Sequence, residues 1–343
     1  MSERARVVVG VDGSAESLAA LSHAMEQAAR RGTGVRVVSA FLPPQYWPNA
    51  YGLSAPPTIE KVKADLRMIA SRMVEQVVAA QAALASVPVE LHEVSGSPAK
   101  VLIEQARGAD LLVVGHRGRG GFASALLGSV GLHCVLHAQC PVTVVRQPAQ
   151  RPEITEEAEA IADERAPTRR VSTHGLIVVG VDGSECARTA LKFALEEAVR
   201  QDARVRVVTA FHPPHHWSVT FGMASGMAVP PSPEELAEAA ERTARQTVAE
   251  VIAEAGSTAE ALPVQVRAVP GNPAKVLLDQ AADADLLVVG HRGLGGVASA
   301  CLGSVGLQCV LHATCPLTIV RPVAGSNPDE MPAERAAMGM STV

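Results

Sequence analysis

The sequence predicts an α/β fold made of two tandem doubly wound domains, each a parallel sheet flanked by helices. Three observations carry this. Short runs rich in Val, Ile and Leu alternate with longer segments of helical period, the strand, helix, strand order of such folds. The runs are apolar on both faces, as parallel strands covered by helices must be. The whole pattern also occurs twice. "VVVGVDGS" at Val7 to Ser14 returns as "IVVGVDGS" at Ile177 to Ser184, an offset of 170. "CPVTVVR" at Cys140 to Arg146 returns as "CPLTIVR" at Cys315 to Arg321, an offset of 175, so the second copy has gained five residues in between. A period near 170 residues is far too long for a solenoid or propeller unit, and each copy is expected to be a complete domain with its own core.

The elements follow in order. In the first copy the strand patterns lie near Arg6 to Val11, Gly34 to Phe41, Val89 to Val94, Leu111 to Gly115 and Val142 to Arg146. Between them Leu18, Leu21, Met25 and Ala28 recur at helical spacing, as do Ile59, Val62, Leu66, Ile69 and Met73. A last helix opens near Ser129. Right-handed crossovers leave few topologies for this order. The domains are expected at residues 1–150 and 175–323. Between them, residues 151–174 are charged, proline-flanked and poor in large apolar side chains, which reads as a linker with a helical turn around Ile154 to Asp163. Residues 324–343 have similar composition and read as a mobile tail.

Composition removes several function classes. With 343 residues, 48% of them hydrophobic and 19% charged, the chain can fill two ordinary cores. A net charge of −5 without a run of Lys and Arg leaves no footprint for nucleic acid or an anionic membrane. No apolar run approaches the roughly 20 residues of a membrane helix. The start "MSERARVVVGVDGS" runs almost at once into a strand pattern and not a secretory apolar region, so a cytoplasmic protein is expected. Six scattered cysteines in a chain of this size are read as reduced thiols.

In a doubly wound sheet, ligands bind beyond the carboxyl ends of the strands where strand order reverses, commonly between the first and fourth strands. Asp12 closes the first strand pattern and Gly115 the fourth, so this topology makes them neighbours. After Gly115 come Gly118, nine further residues, then Gly128 and Ser129 opening the last helix. The second copy repeats this spacing as Gly290, Gly293, Gly303 and Ser304. Glycines let backbone N–H groups approach a bulky anion, and a helix N-terminus adds unpaired donors and a positive dipole end. Together these are the parts of a polyphosphate cradle made from backbone.

This Gly-x2-Gly-x9-Gly-Ser spacing resembles the ATP-binding branch of the universal stress protein family, whose fold is adenine nucleotide alpha hydrolase-like. The resemblance covers nearly all of both copies, including "VGVDGS" and the "CPVTVV" last strand. It implies a five-stranded parallel sheet and one ATP, with magnesium as its companion, in each domain. By the same resemblance Asp12 and Asp182 approach the adenosine, while backbone at Val11, Val181, Ala40 and Ala210 lines the adenine. Gly115 and Gly290 line the nucleoside. Gly118, Gly128, Ser129 and Val130 hold phosphates and ribose, as do Gly293, Gly303, Ser304 and Val305. The family also dimerises through its last strand, so the two halves are expected to form an intramolecular pseudo-dimer. Further homodimerisation and a regulatory protein partner stay open.

Each assignment has a plainer competitor. Asp12 and Asp182 could be helix N-caps, in competition with Ser14 and Ser184. His116 and His291, inside the glycine loop, are expected to be solvated, with phosphate contact or a catalytic role as the other reading. Arg117 and Arg292 could grip phosphate or be surface charges. Arg119 has only Leu294 as its counterpart. Cys134, His137 and Cys140 recur as Cys309, His312 and Cys315, but Cys140 precedes Pro141 beyond the helix end and no fourth ligand is near, so buried apolar cysteines are expected and no metal site. Cys186 and Cys301 have no cysteine counterpart in the first copy. Trp47 and Trp217 are expected to pack in the loop after the second strand or to form a partner surface. No Gly-Lys dipeptide occurs, which excludes a Walker A loop.

The cradle offers backbone donors, a hydroxyl and an arginine but no lysine or second carboxylate, so it is expected to bind more than to catalyse, and no catalytic residue is assigned. The leading expectation is an ATP-dependent regulator in a stress or growth-arrest response. The alternatives are a slow ATPase or autophosphorylating phosphotransferase acting at Ser129 or Ser304, and a nucleotide-free scaffold.

Overall fold

The computed structural model describes residues 6–43, 57–118, 127–147, 175–211, 232–256, 259, 261–293 and 302–322. The expected linker and tail lie outside these residues, as do Trp47, Trp217, Arg119, Leu294 and Cys301.

The first half runs β1 (Val7–Gly10), α1 (Ala15–Arg31), β2 (Val35–Phe41), α2 (Ile59–Ala80), β3 (Val89–Ser95), α3 (Pro98–Gln105), β4 (Leu111–Gly115), α4 (Ser129–His137) and β5 (Val142–Val145). The second runs β6 (Leu176–Gly180), α5 (Glu185–Gln201), β7 (Arg204–Phe211), α6 (Pro233–Ala255), β8 (Val264–Pro270), α7 (Pro273–Gln280), β9 (Leu286–Gly290), α8 (Ser304–His312) and β10 (Leu317–Val320). Local chemistry marks the helix ends. Ser14 caps α1 by accepting from the Ser17 N–H at 3.2 Å, and Gly32 closes it in the left-handed region with φ 63°. At the end of α5 the same conformation falls on Asp202, with φ 48°, a residue whose short polar side chain tolerates it. α6 opens with a full capping box between Ser232 and Glu235, with Pro233 in its first turn.

All ten strands form one sheet in the order β3-β2-β1-β4-β5-β10-β9-β6-β7-β8. Within each half every pair is parallel, as expected for a doubly wound domain. The halves join through one antiparallel pair, β5 with β10, in the register Val144 to Leu317, Thr143 to Thr318 and Val142 to Ile319. At the centre of that pair the buried Thr143 and Thr318 hydroxyls hydrogen bond at 2.8 Å. The junction has a clear physical cause. β5 and β10 are buried at every position, and leaving either as an edge would expose a row of unpaired backbone groups beside an apolar face.

Successive strand residues face opposite layers. Val7, Val9, Leu111 and Val113 pack beneath α1 and α2 against Leu21, Met25 and Met73, and a matching core forms beneath α5 and α6 around Ile177, Leu191 and Val248. On the opposite face the expectation of two separate cores is corrected. There Val8, Leu112, Val135 and Val144 share one continuous cluster with Val178, Leu287, Val310 and Leu317. The cause is the β5 and β10 junction, which carries the apolar face of the sheet from one half into the other. The outermost strands β3 and β8 are only half-buried, and so depart from the two-sided burial expected of every strand.

On the α1 and α5 side the halves meet through a buried ion pair. Arg31 donates to both carboxylate oxygens of Glu197 and to Gln27 Oε1 at 2.6 Å, and its side chain is 6% exposed against 1% for Glu197. No helix among the described residues is long and apolar enough to cross a membrane.

Candidate functional site

β1 lies between β2 and β4, with Val9 in register with Val37 on one side and Val113 on the other. Strand order therefore reverses at β1, and the carboxyl ends of β1, β2 and β4 open onto one crevice. A cavity of about 350 Å³ sits there, within the size range of small-molecule sites. Its walls come from four places: Gly10 at the end of β1 with Val11, Asp12 and Ser17 beyond it; Val38 and Ala40 of β2; Pro98 and Leu102 of α3; and Val114, Gly115, Arg117, Gly118 and Gly128 to Gly131 around the glycine loop. The eight residues that the sequence singles out in the first copy (Val11, Asp12, Ala40, Gly115, Gly118, Gly128, Ser129 and Val130) all lie on this cavity. Residues 119–126 of the loop lie outside the described residues.

The Asp12 question resolves in favour of serine as the cap. Ser14 holds the first turn of α1, and Asp12 Oδ1 instead accepts from the Ser14 N–H at 3.0 Å and the Ser14 hydroxyl at 2.6 Å. The other carboxylate oxygen is turned to the glycine loop, where a Cβ on Gly118 would stand 2.5 Å from Asp12 Oδ2. A side chain there would require the Asp12 carboxylate to shift. Gly115 is glycine for another reason, since a Cβ there would meet the Glu16 backbone at 3.0 Å, so its identity answers the close approach of α1 to β4.

α4 begins at the cavity wall. Its N-cap Gly128 supplies no side chain to the helix, and the first intrahelical bond is Leu132 N–H to Gly128 carbonyl at 3.0 Å. The N–H groups of Ser129, Val130 and Gly131 therefore have no partner within the helix, and they stand at the cavity with the positive dipole end. Arg117 lines the same wall, and its Nε is buried without a hydrogen-bond partner among the described residues.

The second half repeats the arrangement. Ser184 caps α5 while Asp182 Oδ1 accepts from the Ser184 N–H at 3.0 Å, and Asp182 Oδ2 lies where a Gly293 side chain would go. Gly303 is the N-cap of α8, again without a side-chain cap, ahead of Ser304 and Val305. Val181 N–H bonds to the Val208 carbonyl at 2.9 Å, and Ala210 pairs with Val269 near the end of β7. A Cβ on Gly290 would meet the Cys186 backbone at 2.8 Å, so this position also reflects helix packing. One difference lies beside the aspartates. Ser17, whose hydroxyl donates to the Ser14 carbonyl at 2.9 Å and accepts from the Asp12 N–H at 3.4 Å, has Ala187 as its counterpart.

The histidines of the loop overturn the expectation of solvation. His116 and His291 are each 3% exposed. The His116 ring points away from the cavity to Arg146, with Nε2 2.6 Å from the guanidinium, and hydrogen bonds to the Val310 backbone in the other half. Burial, with Arg146 and Arg117 adding to it, pushes His116 down to about 4, and burial with Arg321 and Arg292 does the same to His291. Both rings are therefore neutral at pH 7. In each cysteine and histidine triplet the two cysteines are buried while the histidine is exposed. Burial pushes Cys134 up to about 12 and Cys140 up to about 11, and Cys309 and Cys315 likewise, so these thiols stay protonated. Of the cavity wall, Gly10, Ser17, Val38, Val114 and Gly131 had no sequence assignment, nor did Pro98 and Leu102. The signal for Pro98 and Leu102 was present as "SGSPAKVL" at Ser95 to Leu102, which returns as "PGNPAKVL" in the second copy.

Comparison with known proteins agrees with this architecture. The sequence profile of the Universal stress protein family matches residues 3–146 and 175–321. The chain is 32% identical over 322 residues to Universal stress protein Rv2005c of Mycobacterium tuberculosis, covering 92% of this chain and 96% of that one. It is 30% identical over 324 residues to a universal stress protein of Mycolicibacterium smegmatis, covering 92% and 97%. A crystal structure of a universal stress protein from Archaeoglobus fulgidus shares the fold with a TM-score of 0.58 at 17% identity, over 93% of this chain and 99% of that one. With both halves matched by the family profile and relatives of the same tandem length, this chain belongs to the universal stress protein family.

Proposed function

We propose that the protein binds one ATP per domain, with magnesium as its companion, and acts in the cytoplasm as a nucleotide-dependent regulator in a stress or growth-arrest response. The observation that carries this reading is the convergence of eight motif residues, distant in sequence, on one cavity at the switch point of the sheet. The residues suit the ligand in kind. Val11 and Ala40 offer backbone and apolar wall to an adenine, and Asp12 offers a carboxylate to ribose hydroxyls. Gly118 and the N-terminus of α4 offer N–H donors to phosphates, and the buried Nε of Arg117 supplies a further donor. Asp182, Gly293, Gly303 and Ser304 have these roles in the second half. Among the described lining residues there is no lysine, and Asp12 is the only carboxylate. That composition suits holding a polyphosphate more than transferring one. Nucleotide occupancy then biases which conformation meets a partner.

The test is direct. The purified chain is denatured in acid and its released nucleotide is quantified by chromatography and mass. Two ATP per chain are expected, falling to one in Gly128→Glu or Gly303→Glu. Both positions have negative φ and contacts no closer than 3.4 Å for a Cβ, so the added carboxylate repels phosphate without straining the backbone. A chain that carries no nucleotide and takes none up from Mg-ATP refutes the reading.

A further inference from the structure

Each of the two nine-residue helices that open at a cradle is closed at its far end by the other half. The last carbonyls of a helix have no partner within it. In α8 that end receives Arg146 of the first half, which donates to the Leu311 carbonyl at 2.7 Å, beside the His116 bond to Val310. In α4 it receives Arg321 of the second half, which donates to the carbonyls of Val135, at 3.4 Å, and Leu136. Among the described residues neither arginine has a carboxylate within salt-bridge distance, so their charge is set against the negative end of the opposite helix.

The histidines tie these clamps to the cradles. Arg146 bonds His116 Nε2 at 2.6 Å, and Arg321 bonds His291 Nε2. Since both rings are neutral, Nε2 accepts and the guanidinium donates. The carbonyl of His116 also accepts from the N-cap N–H of Gly128 at 2.9 Å, as that of His291 does from Gly303 at 2.9 Å. His116 thus touches the start of its own cradle helix through its backbone and the end of the opposite cradle helix through its ring, while His291 reaches the opposite helix through Arg321. A helix of nine residues is a rod about 13 Å long, so where its last turn is held decides where its first N–H groups point.

We propose that Arg146 and Arg321, each braced by the histidine of its own glycine loop, are positioning residues for the phosphate cradle of the opposite half. The inference rests on the nucleotide reading above. It differs from a simple stabilising contact in one respect, because the arginine affects the distant cradle more than the one in its own half.

The full-length Gly128→Glu chain reports on the second cradle alone, and Gly303→Glu on the first. Calorimetric titration with Mg-ATP is expected to show Arg146→Ala weakening the second cradle about fivefold or more, within the usual range of coupling between sites. The same substitution weakens the first cradle less, and Arg146→Lys, which keeps a donor for the Leu311 carbonyl, recovers part of the loss. Arg321→Ala mirrors this pattern. Affinity at the second cradle unchanged within twofold, or a larger loss at the first, overturns the proposal. Amide exchange of Leu307 to His312 without nucleotide separates the two readings. Faster exchange in Arg146→Ala with no ATP bound by any chain keeps the clamp and refutes the nucleotide site, whereas unchanged exchange refutes the clamp whatever is bound.

Discussion

Glu197 offers the sharpest test of how the halves are held together. Its buried carboxylate accepts from Arg31 across the seam, from Arg200 at 2.8 Å and from Gln201 at 3.3 Å. Glu197→Gln keeps the shape and removes the charge, which leaves the Arg31 guanidinium buried beside neutral amides. For opposite charges 3.3 Å apart, an effective dielectric of about 20 gives roughly 5 kcal/mol of attraction. The substituted amide still accepts a bond and Arg200 is a third exposed, so the expected loss of stability is about 3 kcal/mol, at the low end for breaking a buried pair. Equilibrium urea unfolding of nucleotide-free protein, followed by circular dichroism, measures it. Replacing both partners, Arg31→Met with Glu197→Leu, removes the stranded charge together with the pair and is expected to lie within about 1 kcal/mol of the parent. A loss below about 1 kcal/mol for Glu197→Gln, or a double variant as unstable as the single, would refute the reasoning that desolvated charge governs this contact.

Three further outcomes are expected. Thr143→Val strands the Thr318 hydroxyl in the sheet junction and costs about 1–3 kcal/mol, whereas Thr143→Val with Thr318→Val is close to neutral; urea midpoints of the three chains decide this. His116 and His291 are ordinary at about 6.5 when unfolded but held near 4 in the fold. The unfolded state therefore binds protons first as pH falls, so stability is full above about pH 6.5 and drops by about 2 kcal/mol per histidine by pH 5. A flat urea midpoint between pH 7 and pH 5 contradicts it. Gly290→Ala drives a methyl group into the Cys186 backbone at 2.8 Å and is expected to destabilise by about 1–3 kcal/mol, the usual range for overpacking. A thermal midpoint equal to that of the parent would show that α5 yields instead.

The strands and the cavity wall were legible because their signals are local. Two-sided apolar runs place β1, β2, β4 and β5 within a residue or two of their observed ends, and a spacing of glycines needs no knowledge of what packs against them. Function of side chains was less legible where two jobs fit one residue type. Ser14 and Asp12 could each cap α1, and geometry rather than propensity assigns the cap to Ser14 and turns Asp12 to the loop. Gly115 reads as a ligand contact, yet its lack of a side chain is already required by α1.

By itself the sequence determined that this is a duplicated doubly wound domain with the same glycine spacing in both halves, because repeats, strand periodicity and motif spacing are written along the chain. Only the tertiary structure decided what lies across the seam. The β5 and β10 register, the shared core, the Arg31 to Glu197 pair and the inward turn of His116 and His291 all depend on groups far apart in sequence, such as Arg146 and Leu311, which are separated by 165 positions. A loop histidine with no such partner would sit in water. Buried against an arginine and the end of a distant helix, it becomes part of the joint between two domains.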